Sequence, residues 1–344
     1  MMAERDYLPT ARIETLQARA RILRVVRDFF ESRGYWEVET PIVSHDVVVD
    51  AHLNPFATSP NESVTATDSL MYLQTSPEFA MKRLLAAGAD AMYQISKVFR
   101  RGEAGRNHNP EFTMIEWYRL GTTYIEQMQF VEDFVMKVLG ACHSEPLAAT
   151  KPQLPSVSPP MDRMTYDEAF ERAVGSRVLN ATVDELKDVA HRHDVVPPPG
   201  LSNDDRDGWL NWLLAELVEP MLAREQAVFV YDFPASQAAL ARVRNDAAAP
   251  VAERFELYLH GVEICNGYQE LTDADELRRR NVIQAGIRRR EGHPPLPQES
   301  RLLAAMESGF PECSGVALGF DRLFMLGMGC ESIAEVIAFP FDRA

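Results

Sequence analysis

The chain has 344 residues, enough for one large domain or two small ones, and its 46% hydrophobic and 25% charged content is that of a soluble globular protein. A formal net charge of −16 argues against a nucleic-acid backbone as the main partner, because phosphates are bound by surplus Lys and Arg. No apolar run reaches the ~18 residues of a membrane span and no secretory h-region is present, so a cytoplasmic protein without a membrane partner is expected. The scattered Cys142, Cys265, Cys313 and Cys330, with no CxxC pair, read as free thiols of a reducing compartment.

In chain order, Leu16, Leu23, Val26 and Phe30 mark the apolar face of a helix, and Gly34 is its natural stop. Tyr35 to Thr40 reads as a short strand ended by Pro41. Strand patterns run from Met92 to Phe99 and from Phe112 to Tyr118, joined by a polar, Gly-containing segment. The Pro-rich stretch 144–160 reads as a surface linker, and 161–227 as a mainly helical insertion broken at Pro197 to Gly200. Strands return at Val228 to Tyr231, Phe255 to Leu259 and Val262 to Cys265, with His260-Gly261 as a two-residue turn. Arg278 to Arg290 is a charged helix whose Arg triplets read as solvated. Gly315 to Phe320 is a Gly-flanked strand running into a helix from Asp321. Hairpins mixed with helices, not βαβ units, predict an α+β fold: helices on a mostly antiparallel sheet, within a single catalytic domain spanning 1–344.

Three constellations carry chemistry. Arg100 opens a hairpin loop that returns through His108-Asn109-Pro110-Glu111-Phe112; an arginine there can grip phosphate and an aromatic can stack on a purine, although Arg-rich loops are common. In the second hairpin, a plain two-residue turn makes Leu259 oppose Val262, Tyr258 oppose Glu263 and Glu256 oppose Cys265. Glu256 and Glu263 then share a face as diagonal neighbours ~7–8 Å apart. Such a pair can hold a divalent cation or an ammonium, or be merely solvated; Asn266 and Glu270 follow directly. The third is Gly315-Val316-Ala317-Leu318-Gly319-Phe320-Asp321-Arg322, where Arg322 sits in a first helical turn, at the end that favours anions.

Together these segments resemble the three motifs of class II aminoacyl-tRNA synthetases, in the correct order: motif 1 at Gly34 to Ile42, motif 2 at Phe99 to Phe112, motif 3 at Gly315 to Arg322. The stretches Ser76 to Leu84, His108 to Met114 and Asn266 to Asp273 look like lysyl-tRNA synthetase. Because the motif 1 helix begins almost at once, no N-terminal anticodon-binding OB-fold is expected. A truncated lysyl-synthetase-like chain of this kind resembles the elongation factor P–(R)-β-lysine ligase family.

The resemblance implies ATP-dependent activation of (R)-β-lysine as an adenylate and transfer to a lysine side chain of elongation factor P, by a homodimer with little affinity for tRNA. Arg100 and Arg322 would grip the phosphates and Phe112 the adenine, with Glu103, His108, Asn109, Leu257 and Gly319 around the nucleotide. Glu256 and Glu263 would hold Mg²⁺. Ser76, Pro77, Glu78, Tyr118, Glu263, Asn266, Glu270 and Ala317 would surround the amino acid. Two departures stand out. Gly102 occupies the place where motif 2 has Glu, with Glu103 one residue later, and Ala317 replaces a Gly of lysyl-tRNA synthetases, narrowing the amino-acid pocket. Alternatives are a ligase serving another carrier or tRNA, and an inactive paralogue acting as a regulatory binder, which would be expected to lack motif arginines or acids.

Overall fold

A computed structural model describes residues 7–59, 70–148, 157–245 and 249–344, which form two compact units. The first takes the described residues within 1–123, 133–154 and 272–344; the second takes those within 124–132 and 155–271. Of the Pro-rich stretch 144–160, residues 149–156 lie outside the described residues. Among the described residues no helix is long and apolar enough to cross a membrane.

The first unit opens with α1 (Ile13–Glu31). Its buried stripe is Thr15, Ala18, Ile22, Val26, Phe29 and Phe30, and Leu16 and Leu23 are only half-buried. The helix is therefore rotated from the face its leucines suggest, because the aromatic pair at its end anchors it. Phe30 stacks on Tyr93 at 4.5 Å and packs on Trp117 and Phe134. The expected strand after Gly34 shortens to β1 (Trp36–Glu37), parallel to β5. Between them lie a small sheet of β2 (Val43–Ser44), β3 (Ala57–Thr58) and β4 (Met71–Leu73), ordered β2-β4-β3, and then α2 (Glu78–Ala86). Next come β5 (Ala91–Phe99) and β6 (Glu111–Leu120), antiparallel from Ala91↔Arg119 to Phe99↔Glu111. Side chains alternate across a strand. Tyr93 and Trp117 therefore meet the helices, while Gln94, Phe112, Glu116 and Tyr118 occupy the other face. Helix α3 (Tyr124–His143) follows.

The second unit contains β7 (Asp162–Thr165), α4 (Tyr166–Val174), α5 (Val183–Arg192), α6 (Arg206–Leu213) and, after a π-turn, α7 (Glu219–Leu222). Helices α4 and α5 start at capping boxes, Thr165 with Glu168 and Thr182 with Glu185, each satisfying otherwise unpaired N–H groups. Then come β8 (Ala227–Pro234), β9 (Val243–Asn245), β10 (Pro250–Leu259) and β11 (Val262–Gln269). The strand order is β11-β10-β8-β7, with β9 on β10; only β7 and β8 are parallel. The core between sheet and helices is built from Tyr166, Phe170, Trp209, Leu210, Val228, Val230 and Phe233.

The chain returns to the first unit with α8 (Ala274–Arg290) and α9 (Arg301–Glu307). The first Arg triplet of α8 is ion-paired, Arg278 to Glu299 and Glu307, Arg279 and Arg280 to Glu276. The second is not wholly solvated as its composition suggests. Arg288 is 1% exposed and donates to the carbonyls of Asp50 and Leu53 at 2.9 Å and of Pro294 at 3.1 Å. Finally β12 (Cys313–Gly319) lies antiparallel on β6, and α10 (Phe320–Gly327) leaves it without a break. The first unit's main sheet is thus ordered β1-β5-β6-β12. Each unit is a largely antiparallel sheet with helices on it, the α+β class expected.

Candidate active site

In the first unit the hairpin β5–β6 presents the nucleotide constellation. Its loop is held from both sides: Arg100 N–H donates to Pro110 O at 2.8 Å, and Arg101 N–H to Asn54 O at 2.7 Å. Gly102 has φ +90°, a conformation that side-chain-bearing residues rarely adopt. That turn brings the Glu103 carboxylate within 3.9 Å of the Arg100 guanidinium, so the acid one residue late still reaches the arginine. The guanidinium of Arg100 lies 5.2 Å over the Phe112 ring. Arg322, from the first turn of α10, donates to Asn107 O at 3.2 Å and contacts the His108 ring. Its neighbour Asp321 is buried, pairs with Arg19 of α1 at 2.5 Å and accepts Thr113 N–H at 2.8 Å. Strand β6, α1 and α10 are thereby locked at the base of Arg322. Asn109 has its amide committed: it donates to Glu111 O at 2.6 Å and accepts Phe341 N–H at 2.9 Å. It shapes the loop and tethers the C-terminal segment.

Further along the same face lies a buried polar cluster. The register sets Glu116 directly between Gln94 of β5 and Ala317 of β12, with Tyr118 opposite Gly315 and Met114 opposite Gly319. Glu116 is 1% exposed and accepts from Ser76 Oγ at 2.7 Å and Tyr118 OH at 2.6 Å. Ser76 Oγ also accepts Glu78 N–H at 3.0 Å, at the start of α2 beside Pro77. Glu78 is not an open carboxylate: Lys82, one helical turn on and itself buried, donates to it at 2.6 Å. Burial, then the charge of Glu78, pushes the Glu116 carboxyl up to about 7; its bonds to Tyr118 and Ser76 and the charge of Lys82 pull the other way.

In the second unit the hairpin turn forms as read: His260 and Gly261 both have positive φ, 48° and 77°, as a two-residue hairpin turn requires. The register differs. Leu259 faces Val262 and Tyr258 faces Glu263, but a bulge at Ile264 makes Leu257 oppose Cys265 and Glu256 oppose Asn266. An extra residue in one strand displaces every later pairing by one. Glu256 therefore joins Asn266, Arg254 and Tyr258 on the face whose partners Val228 and Val230 pack against α4–α7. It is buried, and its two oxygens accept from Arg254 at 2.5 Å and Tyr258 OH at 2.7 Å. Burial raises its pKa, Arg254 lowers it and Glu263 raises it again.

A carboxylate already bound by a guanidinium and a phenol is a poor ligand for a hard cation. Glu256, expected as a metal ligand, is engaged by these two protein donors, whereas Glu263 is half-exposed beside the turn. Among the described residues no group of three or more His, Cys, Asp or Glu is placed to hold a metal ion. Leu257 is buried with its side chain on the opposite face, so only its backbone could serve a ligand beside Glu256. Glu270 is buried just beyond β11, bridged to Ala241.

The family model for class II tRNA synthetases (D, K and N) matches residues 6–343. The chain belongs to this family. It is 43% identical to the elongation factor P–(R)-β-lysine ligase of Vibrio cholerae, over 100% of both chains. It is 44% identical to the protein of that name from Edwardsiella ictaluri, over 98% of both, and 41% identical to that of Haemophilus influenzae PittGG, over 100% of both. The synthetase resemblance read from motif order is borne out at this level.

Within the synthetase frame, the structure gathers Arg100, Glu103, His108, Phe112 and Arg322 around one loop, and Ser76, Glu78, Tyr118 and Ala317 around Glu116. Sequence reasoning missed Glu116, Lys82, Arg254 and Tyr258. Two of them had a signal: Glu116 lies two residues from Tyr118 on a strand and so shares its face, and Lys82 lies four residues from Glu78 on a helix and so stacks on it.

Proposed function

We propose that this chain activates (R)-β-lysine with ATP and passes it to a lysine side chain of elongation factor P. The observation that carries the reading is the full-length likeness, at 41–44% identity, to proteins named for that reaction. It is supported by the presence of the motif arginines Arg100 and Arg322 and of the acids Glu256 and Glu263, whose loss would mark an inactive paralogue.

The substrate carboxylate attacks the α-phosphorus of ATP in line. The P–O bond to pyrophosphate breaks, leaving an aminoacyl adenylate. The acceptor amine then attacks the activated carbonyl, AMP departs and the amine nitrogen loses a proton. Catalysis in this scheme is positioning and charge neutralisation. Arg100, steadied by Glu103, takes the α-phosphate; Arg322, based on the Asp321–Arg19 pair, takes the γ-phosphate; Phe112 stacks on adenine. His108 orients Arg322, Asn109 shapes the loop, and Gly319 gives the nucleotide room. Mg²⁺, when bound, would neutralise phosphate charge, with Glu263 its protein ligand.

Ser76, Pro77, Glu78, Glu116 and Tyr118 offer a place for a substrate ammonium in the first unit, and the family resemblance gives Asn266 and Glu270 of the second unit roles towards the amino acid. The Ala317 methyl, directly opposite Glu116, takes up space that a glycine would leave and so favours the displaced amine of a β-amino acid. Amino-acid-dependent ATP–pyrophosphate exchange tests this. (R)-β-lysine should support exchange far better than L-lysine, and Ala317→Gly should narrow that preference. Equal exchange with both, or with neither, would contradict the reading. The enzyme is expected to be a cytoplasmic homodimer.

A further inference from the structure

The cluster at the base of α2 holds two carboxylates and one ammonium, all buried. Glu78 and Glu116 are joined through Ser76, whose Oγ donates to Glu116 and accepts Glu78 N–H. Lys82 Nζ lies 2.6 Å from Glu78 and 5.9 Å from the centre of the Tyr118 ring, whose hydroxyl donates to Glu116. Lys82 is 1% exposed. A lysine so deeply buried costs free energy through desolvation unless its charge is used, and on a surface the same i,i+4 pair contributes little. The residues directly beside Glu116 on the neighbouring strands are uncharged, Gln94 on β5 and Ala317 on β12; a further cation on this face is Arg100, over Phe112 and donating to Thr75 O at 3.4 Å.

We propose that Lys82 is a positioning residue for the substrate ammonium, acting as a resident counter-ion that cancels Glu78 and so keeps Glu116 ionised as the receiving carboxylate. The inference rests on the substrate reading above. Two buried carboxylates that sense each other tend to retain a proton between them. With Lys82 present and Glu116 ionised, the trio carries a single negative charge, matched to one ammonium. Without it, Glu116 would bind its proton more tightly and would receive an ammonium only at higher pH. That sense agrees with the influence of Lys82 on Glu116, which is to lower its pKa.

The test is the pH profile of KM for (R)-β-lysine in pyrophosphate exchange, from about pH 6 to about pH 9. Lys82→Met should move the fall in KM to higher pH by about one unit. KM should then be raised about fivefold at pH 7, approaching tenfold towards pH 6, and recover in alkali, with KM for ATP unchanged, since one pKa unit is a factor of ten on the acid limb. Lys82→Arg should keep the wild-type profile. The isoelectric double variant K82M/E78Q, which removes both partners, should abolish the upward displacement, bringing the midpoint to its wild-type place or below because Glu78 acts on Glu116 more strongly than Lys82 does, and serves if K82M alone fails to fold. A K82M profile superimposable on wild type, or a KM raised by the same factor at every pH, would overturn the proposal. So would a double variant whose midpoint stays displaced upward. The underlying reading fails separately: a wild-type enzyme showing no exchange with (R)-β-lysine removes the substrate assignment, whereas an active wild type with an unmoved K82M profile removes only the role of Lys82.

Discussion

Two glutamates seven residues apart in one hairpin, Glu256 and Glu263, lie in different surroundings, and the proposed mechanism gives them different duties. Glu256 is sealed between Arg254, Tyr258 and the helical face of its unit, whereas Glu263 stands half-exposed at the turn. Glu263→Gln is expected to leave thermal stability nearly unchanged while depressing pyrophosphate exchange about a hundredfold, or about 3 kcal/mol, as for loss of one preorganised electrostatic group. Excess Mg²⁺ should recover part of that loss. Glu256→Gln should behave oppositely. Arg254 would lose its charged partner in a buried place, lowering stability by roughly 1–3 kcal/mol in urea or thermal unfolding, with no recovery from Mg²⁺. If the two variants respond alike, the division of roles is wrong. Glu116 supplies a third expectation at this scale. With its carboxyl pushed up to about 7, the ionised form that receives an ammonium is gained as pH rises through neutrality. KM for the amino acid should therefore fall between pH 6 and pH 8, about one unit either side of that midpoint, and Glu116→Gln should flatten the profile.

At the scale of elements, the hairpin and α8 show what composition alone conceals. Gly261 has φ +77°, and a Cβ there would meet the Ala223 Cβ at 2.6 Å and its Cα at 2.9 Å. Gly261→Ala should lower stability by about 2 kcal/mol or more, through both strain and collision, as read by chemical denaturation. Arg288 and Arg290 look equivalent in the sequence triplet, yet only Arg288 turns inward to hold 50–54, the segment whose Asn54 carbonyl caps Arg101. Arg288→Met should cost about 3 kcal/mol, because several carbonyls lose a buried donor, while Arg290→Met should cost little. Local pattern made the longer elements legible: α1, β5, β6, β12 and the His260–Gly261 turn all follow from periodicity and glycine placement. It did not reveal the Ile264 bulge, since a bulge leaves composition unchanged and alters only which residues face one another. Nor did it reveal the rotation of α1, which aromatic packing decides.

For the whole molecule, family membership and the α+β class were readable because three motifs in fixed order are far more specific than any one of them. The amino-acid cluster was readable only in part. Ser76, Glu78 and Tyr118 could be named from the sequence, but their connection through Glu116 and Lys82 depends on strand register and helix phase meeting at one place. Two global properties follow from the proposed function: a two-fold dimer in light scattering at micromolar concentration, and weak, salt-sensitive binding of lysine tRNA, as a net charge of −16 implies. The most direct measurement is the intact mass of elongation factor P after incubation with this protein, ATP and (R)-β-lysine. The account predicts the gain of one β-lysyl residue on a single lysine, dependent on ATP and abolished by Arg100→Ala. An unchanged mass with active enzyme, or charging of tRNA in its place, would contradict it.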